Sequence, residues 1–304
     1  MDTALALDHV GVCGGDLDAM SEAYERLGFT LSAQSQQSGR RRPDLPVETY
    51  GTANRCAMFH HGYLELLGIV DRTKYDHDLG KFLARYTGAH IIAFSMDDEN
   101  ANLDRLRASG VACTGPAHLQ RPVGTDGALF RSVRLPYPDA PEGRLQLTRK
   151  FTPEVLWQEP WMDHANRVVA LESVLVLSAD IESSARRFSQ LCGIPFQRDS
   201  DGSLTLTLPG ARGAAGPTSQ QMTTRVRIVN ETTLSRIVPG FVAAASPCIA
   251  AAVLRTDDGN AAFVSIAKNA GIALHDGPEG PVVSASQAGG MALILQNTVV
   301  DEVG

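Results

Sequence analysis

One pattern recurs four times along this chain of 304 residues and limits what the chain can fold into. Each copy contains a short apolar run, an aspartate, a helix-like segment and a glycine that is followed by an apolar residue. An aspartate caps the first turn of a helix, and a glycine adopts the left-handed conformation after the last turn. Each copy therefore predicts a strand and a capped helix. The separation is 12 residues in the first two copies and 13 in the last two, between Asp16 and Gly28, Asp98 and Gly110, Asp180 and Gly193, and Asp258 and Gly271.

Two or three short strands, separated by turn residues, are predicted after each helix. In the first copy they include residues 51–59 and 63–67. Each unit is then βαβββ, and because one unit cannot bury its own sheet, two units should pair into a half-open barrel. The predicted fold is α+β, with four modules forming two half-open barrels. We expect domains at 1–151 and 168–304, joined by a linker at 152–167 whose two tryptophans, Trp157 and Trp161, pack at the interface.

Composition narrows the range of partners. Hydrophobic residues make up 43% of the chain and charged residues 20%, as in ordinary globular proteins. A net charge of −7, offset only by the short basic run 40–42, argues against nucleic acid. No apolar stretch approaches the roughly 20 residues of a membrane span. The first residues resemble a strand and not a signal peptide, so we expect a cytoplasmic protein that acts on a small molecule.

The five cysteines are odd in number and widely spaced, which predicts reduced thiols and neither a disulfide framework nor a zinc cluster. Six histidines fall in predicted loops, hairpin tips or the linker and are expected on the solvated surface; they are His60, His61, His77, His118, His164 and His275.

Potential metal ligands recur at a fixed spacing. Glu65 follows His9 by 56 residues, and Gln146 follows His90 by the same interval. Both histidines lie in apolar strand-like runs, and Glu65 and Gln146 each lie between two leucines. A buried carboxylate without a partner would be costly, so a cation is expected beside Glu65.

Side-chain alternation along strands predicts which residues face the cavity. In the fourth strand Tyr63, Glu65 and Leu67 should line it, while Leu64 and Leu66 pack beneath the helices. In the eighth strand the same alternation directs Arg144, Gln146 and Thr148 inward.

Three short motifs resemble those of the vicinal oxygen chelate superfamily, which includes glyoxalases, bleomycin resistance proteins and dioxygenases. They are the opening strand 7–10 (LDHV), the segment 51–54 (GTAN) and the segment 63–67 (YLELL). The resemblance covers residues 5–150 well and is only architectural over 168–297. It implies that His9, Glu65, His90 and Gln146 hold one divalent metal ion.

The residues do not select the metal among Mn, Fe, Co, Ni and Zn. The resemblance implies that Glu65 can act as the catalytic base, and Tyr63 is a candidate donor to a developing oxyanion. Asn54 is a candidate hydrogen-bond partner for the substrate. Arg131 and Arg144, with Arg134 also near the cavity, favour an anionic substrate because guanidinium groups bind carboxylates and phosphates.

The second half lacks these ligands. Ser173 is expected at the position of His9 and Ala250 at that of His90, while Leu293 falls near that of Gln146. Such residues do not form a metal site. We therefore expect one metal per chain and a second half that serves as scaffold, lid or dimer surface, which allows a homodimer.

Three functions remain open. The preferred one is a metal-dependent isomerase or lyase that acts through a chelated enolate on a small oxygenated, anionic metabolite. The second is an Fe(II)-dependent ring-cleaving dioxygenase, although the expected glutamate on the last strand of the second barrel is missing. The third is a small-molecule binding or resistance protein, which His9, Glu65 and His90 argue against.

Overall fold

The computed structural model describes residues 3–39, 44–76, 78–123, 126–135, 139–210, 215–217 and 221–296. Four βαβββ modules follow one another in these residues, as the sequence predicts. The first module consists of β1 (Leu7–Gly14), α1 (Leu17–Arg26), β2 (Ser35–Gly39), β3 (Glu48–Met58) and β4 (Tyr63–Ile69). After a short helix α2 (Leu79–Leu83), the second consists of β5 (Gly88–Ser95), α3 (Glu99–Ala108), β6 (Thr114–Val123), β7 (Asp126–Arg134) and β8 (Arg144–Lys150).

Two short helices, α4 (Pro153–Leu156) and α5 (Glu159–Met162), lead to the second half. The third module consists of β9 (Val168–Leu177), α6 (Ile181–Cys192), β10 (Phe196–Arg198), β11 (Leu204–Leu208) and β12 (Thr224–Val229). Helix α7 (Glu231–Ile237) precedes the fourth module, which consists of β13 (Cys248–Thr256), α8 (Ala261–Asn269), β14 (Leu274–Gly277), β15 (Gly280–Val283), a 3₁₀ turn (Ala285–Gln287) and β16 (Ala292–Gln296).

The helix ends follow the predicted capping. Asp16, Asp98 and Asp180 each accept a backbone N–H of the first turn. The fourth helix differs, because Asn260 is its cap residue and Asp258 reaches the N–H of Ala262 instead. The four predicted glycines all have positive φ, between 69° and 85°. These local signals therefore placed the four helices correctly along the chain.

The modules pair in the same way in both halves. Strand β1 is antiparallel to β5 and parallel to β4, and β5 is parallel to β8. Likewise β9 is antiparallel to β13 and parallel to β12, and β13 is parallel to β16. One backbone pairing, between Ile249 and Ala89, joins the two halves into a single mixed sheet. The sheet does not close on itself, so each half stays a half-open cup.

One hydrophobic core fills the space behind the two cups. Leu64 and Leu66 of β4 and Leu145 and Leu147 of β8 are fully buried in it, as the alternation predicts. Phe94 of β5 packs on Phe188 of α6, with ring centroids 6.2 Å apart, so this core crosses from one half to the other. The predicted boundaries at 151 and 168 stay a prediction.

The remaining fold expectations concern thiols, tryptophans and membranes. All five cysteines are free, and four are buried. Trp157 is buried among Tyr63, Met58 and Phe130 of the first half, and its predicted place at an interface between the two halves stays a prediction. In the described part of the chain, no helix combines the length and apolar character needed to cross a membrane.

Candidate functional site

The concave face of the first half forms a pocket, here called the first cup. Strands β1 to β5, β7 and β8 supply its polar and apolar walls. Tyr63, Glu65 and Leu67 face it from β4, and Arg144, Gln146 and Thr148 from β8, in the predicted alternation. The lining is completed by His9, Gln37, Ser38, Tyr50, Ile91, Phe130 and Arg134.

His9 is fixed by its neighbour in sequence. Its Nδ1 lies 2.6 Å from Oδ1 of Asp8, and the other carboxylate oxygen of Asp8 accepts a short hydrogen bond from Lys150. Burial alone would raise the pKa of Asp8, but Lys150 and His9 outweigh it and lower this pKa to about 2. An ionised Asp8 selects the imidazole tautomer with its proton on Nδ1. The lone pair on Nε2 is then available on the side of Glu65.

Glu65 is held by an amide. The side-chain nitrogen of Asn54, on β3, donates a short hydrogen bond to Oε1 of Glu65. The other carboxylate oxygen, Oε2, lies 3.8 Å from Nε2 of His9. Asn54 was predicted to bind substrate, but the structure places it against the carboxylate, where it positions Glu65.

A second series of hydrogen bonds holds Gln146. The hydroxyl of Ser132, on β7, lies 3.5 Å from Oε1 of Gln146 and accepts a hydrogen bond of 3.2 Å from Nε of Arg134. Burial, and after it the positive charge of Arg144, lowers the pKa of Arg134 to about 10, whereas Glu65 acts in the opposite direction. Arg134 therefore stays cationic near neutral pH.

The predicted ligand His90 is not in the first cup. Its ring is fully buried between those of Tyr86 and Phe82, with centroids 3.9 and 5.1 Å away, and its Nε2 lies 2.8 Å from the carbonyl oxygen of Tyr86. Burial lowers the pKa of His90 to about 4. The prediction that His90 shares a metal site with His9 and Glu65 is wrong in this structure.

Strand register explains this error. His9 pairs with Tyr63, two residues before Glu65, and Ile91 pairs with Arg144, two residues before Gln146. Ile91, and not His90, is therefore the equivalent of His9. His90 itself falls at a bulge, because Ile91 is paired with Gly11 and Ala89 with Val12. A shift of one residue moves a strand side chain away from its expected face.

Three potential metal donors remain in the first cup: the Nε2 atom of His9, the carboxylate of Glu65 and the amide oxygen of Gln146. They lie on three strands, and Asp8, Asn54 and Ser132 each form a hydrogen bond with one of these three side chains. Within the described ranges, no three His, Cys, Asp or Glu residues gather as a metal cluster. An imidazole, a carboxylate and an amide oxygen are donors that divalent ions accept, but they number three, fewer than the four that the sequence predicts.

The contacts of Tyr63 and Arg131 show where two further predicted site residues lie. Tyr63 lines the first cup and stacks on His9, with ring centroids 4.5 Å apart. Arg131 is not in the cup: its guanidinium lies over Phe151, and it donates to the carbonyl oxygen of Phe130. The structure therefore does not bring Arg131 to the cup, and Arg134 on the same strand lines it instead.

The predictions for surface histidines fail at two positions. His61 and His164 are buried, and burial lowers the pKa of each to about 4. His60, His118 and His275 are exposed as expected. His77 and the basic run 40–42 lie outside the described residues.

The concave face of the second half differs at every equivalent position. Ser173 pairs with Arg225, and Leu175 with Arg227, as His9 pairs with Tyr63 and Gly11 with Glu65. Ser173 is thus confirmed at the position of His9, and Arg227 is at that of Glu65. Ile294, not Leu293, is the equivalent of Gln146, because it pairs with Val253 as Gln146 pairs with Ala93. These residues offer no metal site.

Several residues of the site escaped the sequence analysis. Lys150 and Asp8 are 142 positions apart in the chain, and no local pattern connects them. The register of β7 against β8 places Arg134 opposite Gln146 and Arg131 opposite Arg149. The sequence predicts both arginines near the cavity, and only this register separates Arg134, which lines the cup, from Arg131, which does not.

Comparison with known proteins gives the family of the first half and the fold of the whole. Residues 7–192 match the glyoxalase-like domain family. A hypothetical protein from Staphylococcus aureus superposes with a TM-score of 0.60 at 14% identity, over 84% of this chain and 92% of that one. The Mn(II)-bound glyoxalase from Novosphingobium aromaticivorans gives 0.57 at 14% identity, over 96% and 82%.

A mutant of 4-hydroxymandelate synthase from Streptomyces coelicolor gives a TM-score of 0.53 at 14% identity, over 91% of this chain and 78% of that one. At these identities the likeness concerns the fold. No curated protein matches the chain significantly.

Proposed function

Because this chain belongs to the glyoxalase-like domain family within the vicinal oxygen chelate superfamily, we propose that its first cup is the active site of a metal-dependent isomerase or lyase. The substrate would be a small oxygenated, anionic metabolite. The observation that supports this most is the convergence of His9, Glu65 and Gln146 in a cup that also contains Arg134 and Arg144.

His9, Glu65 and Gln146 would hold the ion, which is one of Mn, Fe, Co, Ni or Zn. Such an ion would act as a Lewis acid toward a substrate carbonyl. One imidazole, one carboxylate and one amide leave a divalent ion with a net charge of +1. Asp8 keeps the His9 lone pair on Nε2, and Ser132 orients the amide of Gln146.

Glu65 is the base in this proposal. It removes a proton from the carbon next to the substrate carbonyl, and the electron pair of that C–H bond moves onto the carbonyl oxygen as an enolate. Asn54 donates to Oε1, so Oε2 on the His9 side would accept the proton, and Glu65 would have to release the ion before it does so. On an α-hydroxy-ketone, an isomerase then adds the proton to the former carbonyl carbon, while the α-hydroxyl group loses its proton and becomes the new carbonyl. A lyase instead uses the electron pair of the enolate to expel a leaving group from the carbon beyond the deprotonated one.

Proton exchange tests this proposal without knowledge of the natural substrate. The protein, purified without added metal and then supplied with each ion in turn, is incubated in D₂O with hydroxy-ketones and β-dicarbonyl compounds. NMR should show deuterium entering beside the carbonyl, and Glu65→Gln should slow this at least about 100-fold. The Ser173→Ala variant, changed at the equivalent of His9 in the second half, should keep the parent rate.

Three results would contradict the proposal. Exchange that survives in Glu65→Gln would show that Glu65 is not the base. Oxygen consumption with catechols and bound iron would indicate a dioxygenase. Tight binding of a small molecule without metal or exchange would indicate a binding or resistance protein.

A further inference from the structure

Arg134 and Arg144 separate two pockets. Both line the first cup on one side, and on the other they line a neighbouring recess, here called the outer recess and formed with Lys81, Phe82, Thr114 and Leu135. The two arginines, here called the arginine pair, thus lie between the three metal donors and a second space that opens beside α2.

The charge of the first cup is unbalanced. Among the described residues that line it, two guanidinium groups face the single carboxylate of Glu65. Neither Arg134 nor Arg144 forms an ion pair with an acidic residue in the described part of the chain. Asp78, at the outer recess, pairs with Lys81 instead, at 3.0 Å. The single carboxylate of Glu65 offsets only one of the two partly desolvated guanidinium charges, and the remaining positive charge is costly, so an anion should complete this site.

The arginine pair is also held in position. Arg134 donates from Nε to Ser132, which leaves the Nη groups for a ligand, and the guanidinium of Arg144 lies 5.1 Å from the ring centroid of Phe82. Planar guanidinium groups fixed by such contacts bind two oxygens of one carboxylate or phosphate.

We propose that the arginine pair binds an oxyanion of the substrate, a carboxylate or a phosphate, that is distinct from the reacting oxygens. The reacting end then lies at His9, Glu65 and Gln146, and the rest of the molecule extends into the outer recess. This inference rests on the proposed function for the identity of the reacting end. The anion site itself depends only on the two arginines.

Titration calorimetry with two probes tests the anion site. Inorganic phosphate and malonate are titrated into the full-length protein after treatment with a chelator, so that neither metal nor turnover contributes. At least one probe should bind, and Arg134→Met and Arg144→Met should each weaken binding at least tenfold. The preferred probe tells a phosphate substrate from a carboxylate substrate.

The controls use arginines on the same two strands. Arg131→Met on β7 and Arg149→Met on β8 remove guanidinium groups that lie over Phe151, outside the cup. Both controls should bind the probes within twofold of the parent. Arg134→Lys and Arg144→Lys, which keep the charge, should lie between the parent and the Met variants, and this separates lost recognition from misfolding.

Two outcomes would overturn the inference: no binding of either probe, or equal losses in the controls and the Met variants. Probe binding that persists in a protein without proton exchange would contradict the proposed function and leave the anion site standing.

Discussion

Nδ1 of His9 and Oδ1 of Asp8, adjacent in sequence, lie 2.6 Å apart, and neither side chain is more than 6% exposed. Two consecutive residues of a strand normally point to opposite faces. Here Asp8 falls at a bulge of β1, between Leu7 and His9, and pairs with Lys150, whereas His9 lines the first cup. The bond between the two side chains fixes the imidazole of His9.

This relationship predicts the cost of breaking a buried ion pair. Asp8→Asn and Lys150→Met each leave one charge buried without its partner, so each should lower the free energy of unfolding by about 3–5 kcal/mol. The double variant should lose less than the sum of the two, as urea unfolding can measure. Arg149→Met, at a half-exposed pair with Glu99, should change stability by only about 0.5 kcal/mol.

The two histidines should differ in metal retention. His9→Ala removes a donor in the first cup and should weaken binding of a divalent ion at least tenfold. His90→Asn should leave metal affinity within twofold, although it lowers stability by about 1–3 kcal/mol through a lost buried contact. Metal titration and urea unfolding on the same samples check both, and an equal loss of metal in the two variants would restore His90 as a ligand.

Gln146→Glu adds a carboxylate beside two arginines and a predicted metal ligand. Metal affinity should rise at least tenfold, because the added charge attracts a divalent ion. The same carboxylate neutralises part of the arginine pair, so binding of phosphate or malonate should weaken. If both affinities stay within twofold of the parent, Gln146 contacts neither metal nor substrate.

Ile91→His places an imidazole at the equivalent of His9 in the second module. It should complete a four-donor set and raise metal affinity at least tenfold, at a packing cost of about 1–3 kcal/mol, since Ile91 lies against Gly11 in the core. Val253→His, on the concave face of the second half, is the control and should not gain metal. An unchanged affinity in Ile91→His would argue against a metal site in the first cup.

Stability should fall in mild acid. Burial lowers the pKa of His61, His90 and His164 from 6.5 to about 4 in the folded protein. Between pH 4 and pH 6.5 the unfolded chain binds more protons than the folded protein does. The stability present above pH 6.5 is therefore lost as the pH falls toward 4. Each group contributes a slope of up to about 1.4 kcal/mol per pH unit.

Urea unfolding at pH 7, 6 and 5 measures this slope. His164→Gln should reduce this slope by the contribution of one group, up to about 1.4 kcal/mol per pH unit. His275→Gln, at an exposed position, should leave the slope unchanged. A stability that is constant from pH 7 to pH 5 would contradict the assignment of these three groups.

The sequence by itself determined the modules. Capping by Asp16 or Asp98 and the positive φ of the glycines involve only a few neighbouring residues. These features can therefore be predicted from a short stretch of sequence. Alternation within one strand is local as well, and it placed Glu65 and Gln146 on the inner face correctly.

Only the tertiary structure decided which residues meet. Register between strands depends on the whole sheet, and a one-residue bulge at His90 replaced a predicted ligand with Ile91. Lys150 meets Asp8 through strands that are distant in the chain, and Arg134 lies opposite Gln146 through the register of the consecutive strands β7 and β8. Such contacts arise when the core fixes the strands relative to one another, and a spacing repeated along the chain cannot specify them to one residue.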